Sequence, residues 1–141
     1  MRWVGGKDLM LRLIGEIGVD GALYKAIEFD GPAIEALDVE GRLTIANMAI
    51  EAGGKAGLFA ADDKTLAYCA AHKRPGAEKI AADPGATYER ELLFDVSGME
   101  PLVACPHLPS NTKPVSQLRD LPVNQVVVGS CTNGRISDMR A

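Results

Sequence analysis

The sequence is poor in cysteine and contains no long apolar run. It has three cysteines among 141 residues, and no two of them form a Cys-x-x-Cys pair. An odd and sparse cysteine count argues against a disulfide framework and is typical of a reducing compartment. No apolar run is long enough to span a bilayer, and the N-terminal MRWVGGKD lacks the apolar core of a signal peptide. These absences predict a cytoplasmic location.

The chain also lacks an excess of positive charge. It carries 15 lysines and arginines against 19 aspartates and glutamates, a net charge of −4. This balance argues against nucleic acid or an anionic membrane as the main partner. Hydrophobic residues at 47% and charged residues at 24% are ordinary globular values. A chain of this length is large enough to bury a core of its own.

Helical and strand-like patterns alternate along the chain, which predicts an α/β fold with helices against a mostly parallel sheet. Apolar spacing and capping residues predict helices at Lys7 to Gly18, Asp38 to Ala52 and Lys64 to Lys73. The predicted strands are Ala22 to Asp30, Ala56 to Ala61, Tyr88 to Val96 and Val126 to Val128. Five prolines between 101 and 122 predict a connector with little regular structure beyond a short LVAC strand.

The richest chemistry lies in VVVGSCTNGRISD, Val126 to Asp138. Three β-branched residues lead into a small polar turn, which places Cys131 at the C-terminal end of a predicted strand. Ligands usually bind at that edge of an α/β sheet, and the backbone N–H groups of such a turn favour a thiolate. The commoner fate of a lone cysteine is inert burial, but small residues and amide-bearing neighbours weigh against it here.

A polar pair interrupts the apolar surface of the second predicted helix. Asn47 and Glu51 are four residues apart, so a regular α-helix would place them on one face. Spacing alone favours a helix–helix hydrogen bond or a partly solvated edge as their role.

Two segments resemble the aconitase superfamily. GSCTNGR after an apolar strand is similar to the segment that supplies the first of three cysteine ligands to a [4Fe–4S] cluster. TIANMAIEAGGKAGLF, Thr44 to Phe59, is similar to a helix of that family's second domain. The resemblance implies that residues 1–122 form a layered α/β/α domain and its connector. It also implies that residues 123–141 are the first strand and turn of the next, cluster-binding domain.

The resemblance further implies a role for each candidate residue. Cys131 would be a cluster ligand, and Glu51 would handle the proton of the hydroxyl that leaves and returns. Asn47, Asn133 and the surroundings of Ser130 would tune the cluster through hydrogen bonds. A cluster held by three thiolates leaves one iron able to polarise a C–O bond. We expect the two other cluster cysteines after Ala141, and therefore neither a cluster nor activity in these 141 residues alone.

A weaker resemblance concerns the substrate. VACPHLPSNTKPV is similar to the isopropylmalate and homoaconitate branch of the superfamily. It implies a hydro-lyase of leucine biosynthesis that isomerises 2-isopropylmalate to 3-isopropylmalate by dehydration and rehydration. Its partner would be a separate small subunit that carries the swivelling domain. Homoaconitase is the alternative within the class.

Two alternatives lie outside that class. The chain would then be a small α/β binding module with a redox-active Cys131, or a purely structural α/β domain. The latter is favoured only if Asn47, Glu51 and Cys131 lie far apart. The remaining cysteines and histidines are expected to be packed or solvated rather than metal ligands: Cys69, His72, Cys105 and His107.

Overall fold

The computed structural model describes residues 3–140 and confirms the predicted α/β class. The α-helices are α1 (Gly6–Ile17), α2 (Pro32–Ala36), α3 (Val39–Met48) and α4 (Asp63–Ala71). The strands are β1 (Ala26–Phe29), β2 (Ala56–Phe59), β3 (Leu102–Ala104) and β4 (Thr112–Pro114). Short 3-10 helices span Ala49–Ala52, Val115–Leu118 and Asp138–Arg140. Among the described residues, no helix is both long and apolar enough to cross a membrane.

The core lies between α1 and α3. Helix α1 begins where the Asp8 carboxylate accepts a hydrogen bond from the Gly5 amide at 2.9 Å, and it ends at Gly18. Its buried face meets that of α3 and of the 3-10 helix that follows α3. The buried apolar residues are Met10, Leu11, Leu13, Ile14, Ala22, Ile45, Met48, Ala49 and Ala52. These two helices therefore form the platform for the rest of the chain.

Helix α3 is capped as the sequence predicts. The Asp38 carboxylate accepts a hydrogen bond from the Gly41 amide at 2.7 Å, which satisfies a free N–H group of the first turn. After Met48 the backbone tightens into the 3-10 helix, and Gly53 ends it with a left-handed φ of 80°. The predicted helix from Asp38 to Ala52 is therefore present, but its last turn has a different pitch.

A parallel two-stranded sheet packs against α3. Ala26 pairs with Ala56 and Phe29 with Phe59, and the two phenylalanine rings stack with centroids 5.3 Å apart. A side chain at Gly57 would lie 2.9 Å from the Cα of Ala46, so the close contact between β2 and α3 requires glycine. The sheet therefore packs closely against the face of α3 that carries Ala46.

An ion pair between a buried arginine and a half-buried aspartate joins α3 to α4. The Arg42 guanidinium, 5% exposed as a residue, lies 2.6 Å from the Asp62 carboxylate, and Asp62 also caps α4 through the Thr65 amide. These hydrogen bonds, the one from Arg42 first, hold the pKa of Asp62 well below its usual value. The carboxylate therefore stays ionised and keeps the buried guanidinium paired.

Two predicted strands are wrong. Residues 88–96 and 126–128 form no strand in the described part of the chain. The first segment is held by side chains: Tyr88 donates a hydrogen bond to Glu28, and Phe94 lies 5.3 Å from the Arg12 guanidinium. Val126, Val127 and Val128 are 76%, 82% and 57% exposed. A β-branched run forms a strand only where another strand pairs with it, and the described residues provide none at 126–128.

The proline-rich connector is more regular than predicted. β3 and β4 form an antiparallel hairpin, with Leu102 opposite Pro114. Proline is tolerated there because it ends a strand of a two-stranded sheet, which has two edges and no centre. The hairpin packs on α1, where the Asp8 carboxylate accepts a hydrogen bond from the Leu102 amide at 2.8 Å. Helix α2 was also missed, although Pro32 at its first turn is a common helix start.

Candidate functional site

The turn that carries Cys131 is compact and requires glycine. At Gly134 φ is 123°, and a side chain there would lie 2.7 Å from the Cα of Gly129. Ser130 also has a positive φ of 79°, a conformation that few non-glycine residues adopt. The Cys131 thiol is free and exposed. The turn therefore presents its thiol outward instead of packing it as an inert core residue.

Asp138 holds this turn from its C-terminal side. Its carboxylate accepts hydrogen bonds from the amides of Gly134 and Arg135 at 2.8 and 2.9 Å. The Asn133 side chain donates a third at 3.1 Å. These bonds, the one from the Gly134 amide first, hold the pKa of Asp138 below its usual value. The Asn133 amide group is thus used to build the turn.

The turn docks on α3 through Thr44. This threonine is 2% exposed, and its hydroxyl lies 2.6 Å from the Thr132 carbonyl oxygen. The Arg135 guanidinium donates to the same hydroxyl at 2.9 Å. Next to it, the Ser137 hydroxyl donates a hydrogen bond to the Glu40 carboxylate. Helix α3 is thus the support of the cysteine turn, although about 90 residues separate Thr44 from Arg135 in sequence.

Asn47 lies beside the cysteine turn. Its side-chain nitrogen donates a hydrogen bond to the Thr132 hydroxyl at 3.3 Å, and Thr132 is the neighbour of Cys131 in sequence. The structure therefore brings Asn47 and the turn that carries Cys131 to the same part of the surface. Asn47 is exposed, so its side chain is not buried in a helix–helix contact within the described chain.

Glu51 lies one turn further along, on the 3-10 helix. One of its carboxylate oxygens, Oε2, is buried and has no hydrogen-bond partner among the described residues. Leaving a buried acceptor unpaired costs free energy, so this atom is an exception to normal packing. The tighter pitch, about three residues per turn, also rotates Glu51 away from the face that it would share with Asn47 in a regular α-helix. The described residues form no hydrogen bond between Glu51 and the cysteine turn.

A cleft of about 590 Å³ lies next to the turn. It opens between the N-terminal ends of α1 and α3 and the segment 133–138. Asn133 and Thr44 contribute to its lining, whereas within the described chain Cys131, Asn47 and Glu51 do not. Of the candidate residues, Asn133 therefore faces this cleft, whereas Cys131 and Asn47 are exposed outside it.

The other two cysteines lie away from the turn. Cys69 is on α4 and Cys105 follows β3, and both are half-buried. Within residues 3–140 no group of three histidine, cysteine or acidic side chains is arranged to hold a metal ion. The described chain thus offers one exposed thiol on a hydrogen-bonded turn, which fits one ligand position of a larger thiolate set.

Sequence reasoning missed the residues that hold the site together: Glu40, Thr44, Thr132, Arg135, Ser137 and Asp138. Two signals pointed to them. Thr44 is a small polar residue on an apolar helix, and Asp138 stands four residues after Gly134, directly after the polar turn. The contacts themselves join distant parts of the chain, which spacing rules cannot predict.

Comparison with known proteins defines the class. The aconitase family, described as aconitate hydratase, matches residues 1–121, and the chain belongs to that family. Its curated relatives include large subunits of 3-isopropylmalate dehydratase. Those of Nitratidesulfovibrio vulgaris strain Miyazaki F, Desulfovibrio desulfuricans and a Sulfurihydrogenibium species are 78%, 71% and 56% identical over 99% of this chain. The chain spans about a third of their length, 33%, 33% and 32% respectively.

Proposed function

We propose that this chain is part of the large subunit of a [4Fe–4S] hydro-lyase that interconverts 2-isopropylmalate and 3-isopropylmalate. The geometric support is the docking of the Cys131 turn on α3 beside Asn47. The similarity to 3-isopropylmalate dehydratase large subunits over 99% of the chain supports the assignment of isopropylmalate as the substrate. In this proposal residues 1–122 are one α/β domain with its connector, and residues 123–141 begin the next domain.

The proposed assembly places the remaining parts outside the chain. A small subunit with the swivelling domain would complete the active site, and the enzyme would serve leucine biosynthesis in the cytoplasm. The relatives' designation as large subunits supports a second subunit. Two further thiolates would come from the remainder of the large subunit.

The candidate residues would take different roles. Cys131, exposed on its turn, would be one of three thiolate ligands of the cluster. When bound, the cluster supplies a Lewis acid at the iron that has no protein ligand. Asn47 and the backbone near Ser130 would orient groups around it by hydrogen bonds. The unpaired Oε2 of Glu51 is available to hold the proton of the substrate hydroxyl.

The direct test uses the intact large subunit reconstituted anaerobically with iron and sulfide and combined with its small subunit. Turnover of 2-isopropylmalate is compared with turnover of homoaconitate, and the cluster is followed by its absorbance. We expect a cluster and a clear preference for 2-isopropylmalate. A preference for homoaconitate would support the homoaconitase alternative and retain the cluster chemistry.

The redox-module alternative has one observation in its favour, the exposed free thiol of Cys131. It predicts an intact protein that assembles no cluster and whose Cys131 is reversibly oxidised by peroxide. The purely structural alternative requires the candidate residues to lie far apart. The hydrogen bond between Asn47 and Thr132 weakens that alternative.

A further inference from the structure

One side chain joins the cysteine turn to α3 more extensively than any role described above requires. The Arg135 guanidinium donates through Nη1 to the Thr44 hydroxyl at 2.9 Å and to the Thr132 carbonyl at 3.1 Å. Through Nη2 it donates to the Cys131 carbonyl at 3.3 Å. It thus contacts the backbone of the cysteine, the backbone of its neighbour and the supporting helix.

The Thr44 hydroxyl is arranged to receive this guanidinium. Its single hydrogen can go to the Thr132 carbonyl at 2.6 Å or to the Glu40 carbonyl at 3.2 Å, and the shorter contact takes it. The oxygen lone pairs then remain for Arg135. The Thr132 carbonyl in turn accepts from both Thr44 and Arg135, which uses both of its lone pairs. The three residues form a closed hydrogen-bonded triangle.

The guanidinium donates its hydrogen bonds to carbonyl and hydroxyl oxygens, and its charge also helps to lower the pKa of the Asp138 carboxylate. The ion pairs among the described residues do not include Arg135. Its planar fork suits two adjacent carbonyls, which a lysine ammonium on a flexible stem cannot bridge in the same way. Thr44 is 2% exposed, so the triangle is anchored in the core side of α3.

We propose that Arg135 is a positioning residue that clamps the Cys131 turn on α3 and thereby fixes the orientation in which the thiolate meets the cluster. The effect on the cluster rests on the proposed function, in which Cys131 is a cluster ligand. The clamp itself depends only on residues of this chain. Without the fork, the turn keeps the Asp138 bonds within it and the direct hydrogen bond from Thr44 to the Thr132 carbonyl. It loses the guanidinium that ties the Cys131 and Thr132 carbonyls to each other and to the Thr44 hydroxyl.

The clamp is tested in the intact large subunit by two measurements on Arg135→Gln, Arg135→Lys and Arg90→Gln. Arg90 is exposed on the 88–96 segment and serves as the matched control. Amide hydrogen exchange of the cluster-free subunit reports the turn, and the rate of absorbance loss reports the reconstituted cluster. Arg135→Gln should speed exchange in the peptide 129–138 by at least about tenfold, since hydrogen bonds to a charged donor are lost. Exchange of the α1 peptide should not change.

Cluster loss should accelerate in Arg135→Gln and not in Arg90→Gln. Arg135→Lys should recover only a small part of the protection, because charge is restored without the fork. Equal exchange in Arg135→Gln and Arg90→Gln would overturn the clamp, and so would full protection in Arg135→Lys. A wild-type subunit that assembles no cluster, together with faster exchange of the turn in Arg135→Gln than in Arg90→Gln, would overturn the proposed function and support the clamp.

A second variant covers the case in which Arg135→Gln folds poorly. Thr44→Val keeps the shape of the buried side chain and removes the hydroxyl. It should speed exchange of the turn to a similar extent, and the double variant should add little to either single change. Fully additive effects would show that the two side chains do not act together.

Discussion

Replacement of Ile45 by alanine should be among the most destabilising changes in α3. Ile45 lies on α3, is 0% exposed and belongs to the core cluster that includes Met10 and Ile14 of α1. The substitution removes three carbons, each worth about 0.8 kcal/mol when buried, or about 2.4 kcal/mol in total. The cavity left behind adds about 1 kcal/mol or more. The expected loss in the free energy of unfolding is therefore about 3 to 4 kcal/mol.

The measurement is urea denaturation of the 141-residue chain followed by far-ultraviolet circular dichroism, with linear extrapolation to water. Ile50 provides the matched control, since it is 68% exposed on the next turn. Ile50→Ala should cost less than about 0.5 kcal/mol. If Ile45→Ala cost less than about 1 kcal/mol, or no more than the control, the core would not lie where the structure has it.

Three further predictions concern charge and the cluster. Asp62 and Asp138 have lowered pKa values in the fold, so their contribution to stability is fully present above the ordinary aspartate pKa of about 3.9. This contribution is lost as the pH falls through the folded-state pKa values. The free energy of unfolding should therefore fall less steeply with pH below about pH 4 in Asp62→Asn than in the wild type. An unchanged slope would contradict the ion pair. The 141-residue chain alone, treated anaerobically with iron and sulfide, should show no stoichiometric cluster absorbance, and cluster formation would make Cys69 and Cys105 ligands. In the intact subunit, Cys131→Ser should lower the amount of iron that stays bound through gel filtration, because a hydroxyl is a poor substitute for a thiolate. Cys69→Ser is the control. Equal iron content in the two variants would remove Cys131 from the ligand set.

Local signals were sufficient for the helices that form the platform. The apolar spacing in α1, the Asp38 cap and the glycine after Ala52 all act within a few residues, so their effects can be predicted from the sequence. Strand β2 was predictable for the same reason, as a short apolar segment between a glycine turn and an aspartate cap. These elements set the position of Asn47.

The two failed strand predictions share one physical cause. A strand exists through its partners, and neither 88–96 nor 126–128 is paired in the described chain. The docking of Thr44 on Thr132 and Arg135 likewise joins residues about 90 positions apart. Nothing in the neighbourhood of either residue encodes that contact. The change of pitch after Met48 was also missed, because spacing of four presumes a regular α-helix.

The proposed chemistry depends most on Glu51, whose buried oxygen has no partner in the described structure. The decisive measurement is turnover of 2-isopropylmalate by the intact large subunit with its small subunit, comparing Glu51→Gln with the exposed control Glu91→Gln at matched cluster absorbance. We expect Glu51→Gln to keep the cluster and to lose about 10²-fold or more in turnover, because proton transfer by the carboxylate is lost. The control should retain full turnover. Full activity in Glu51→Gln would contradict the account and assign the proton to another residue.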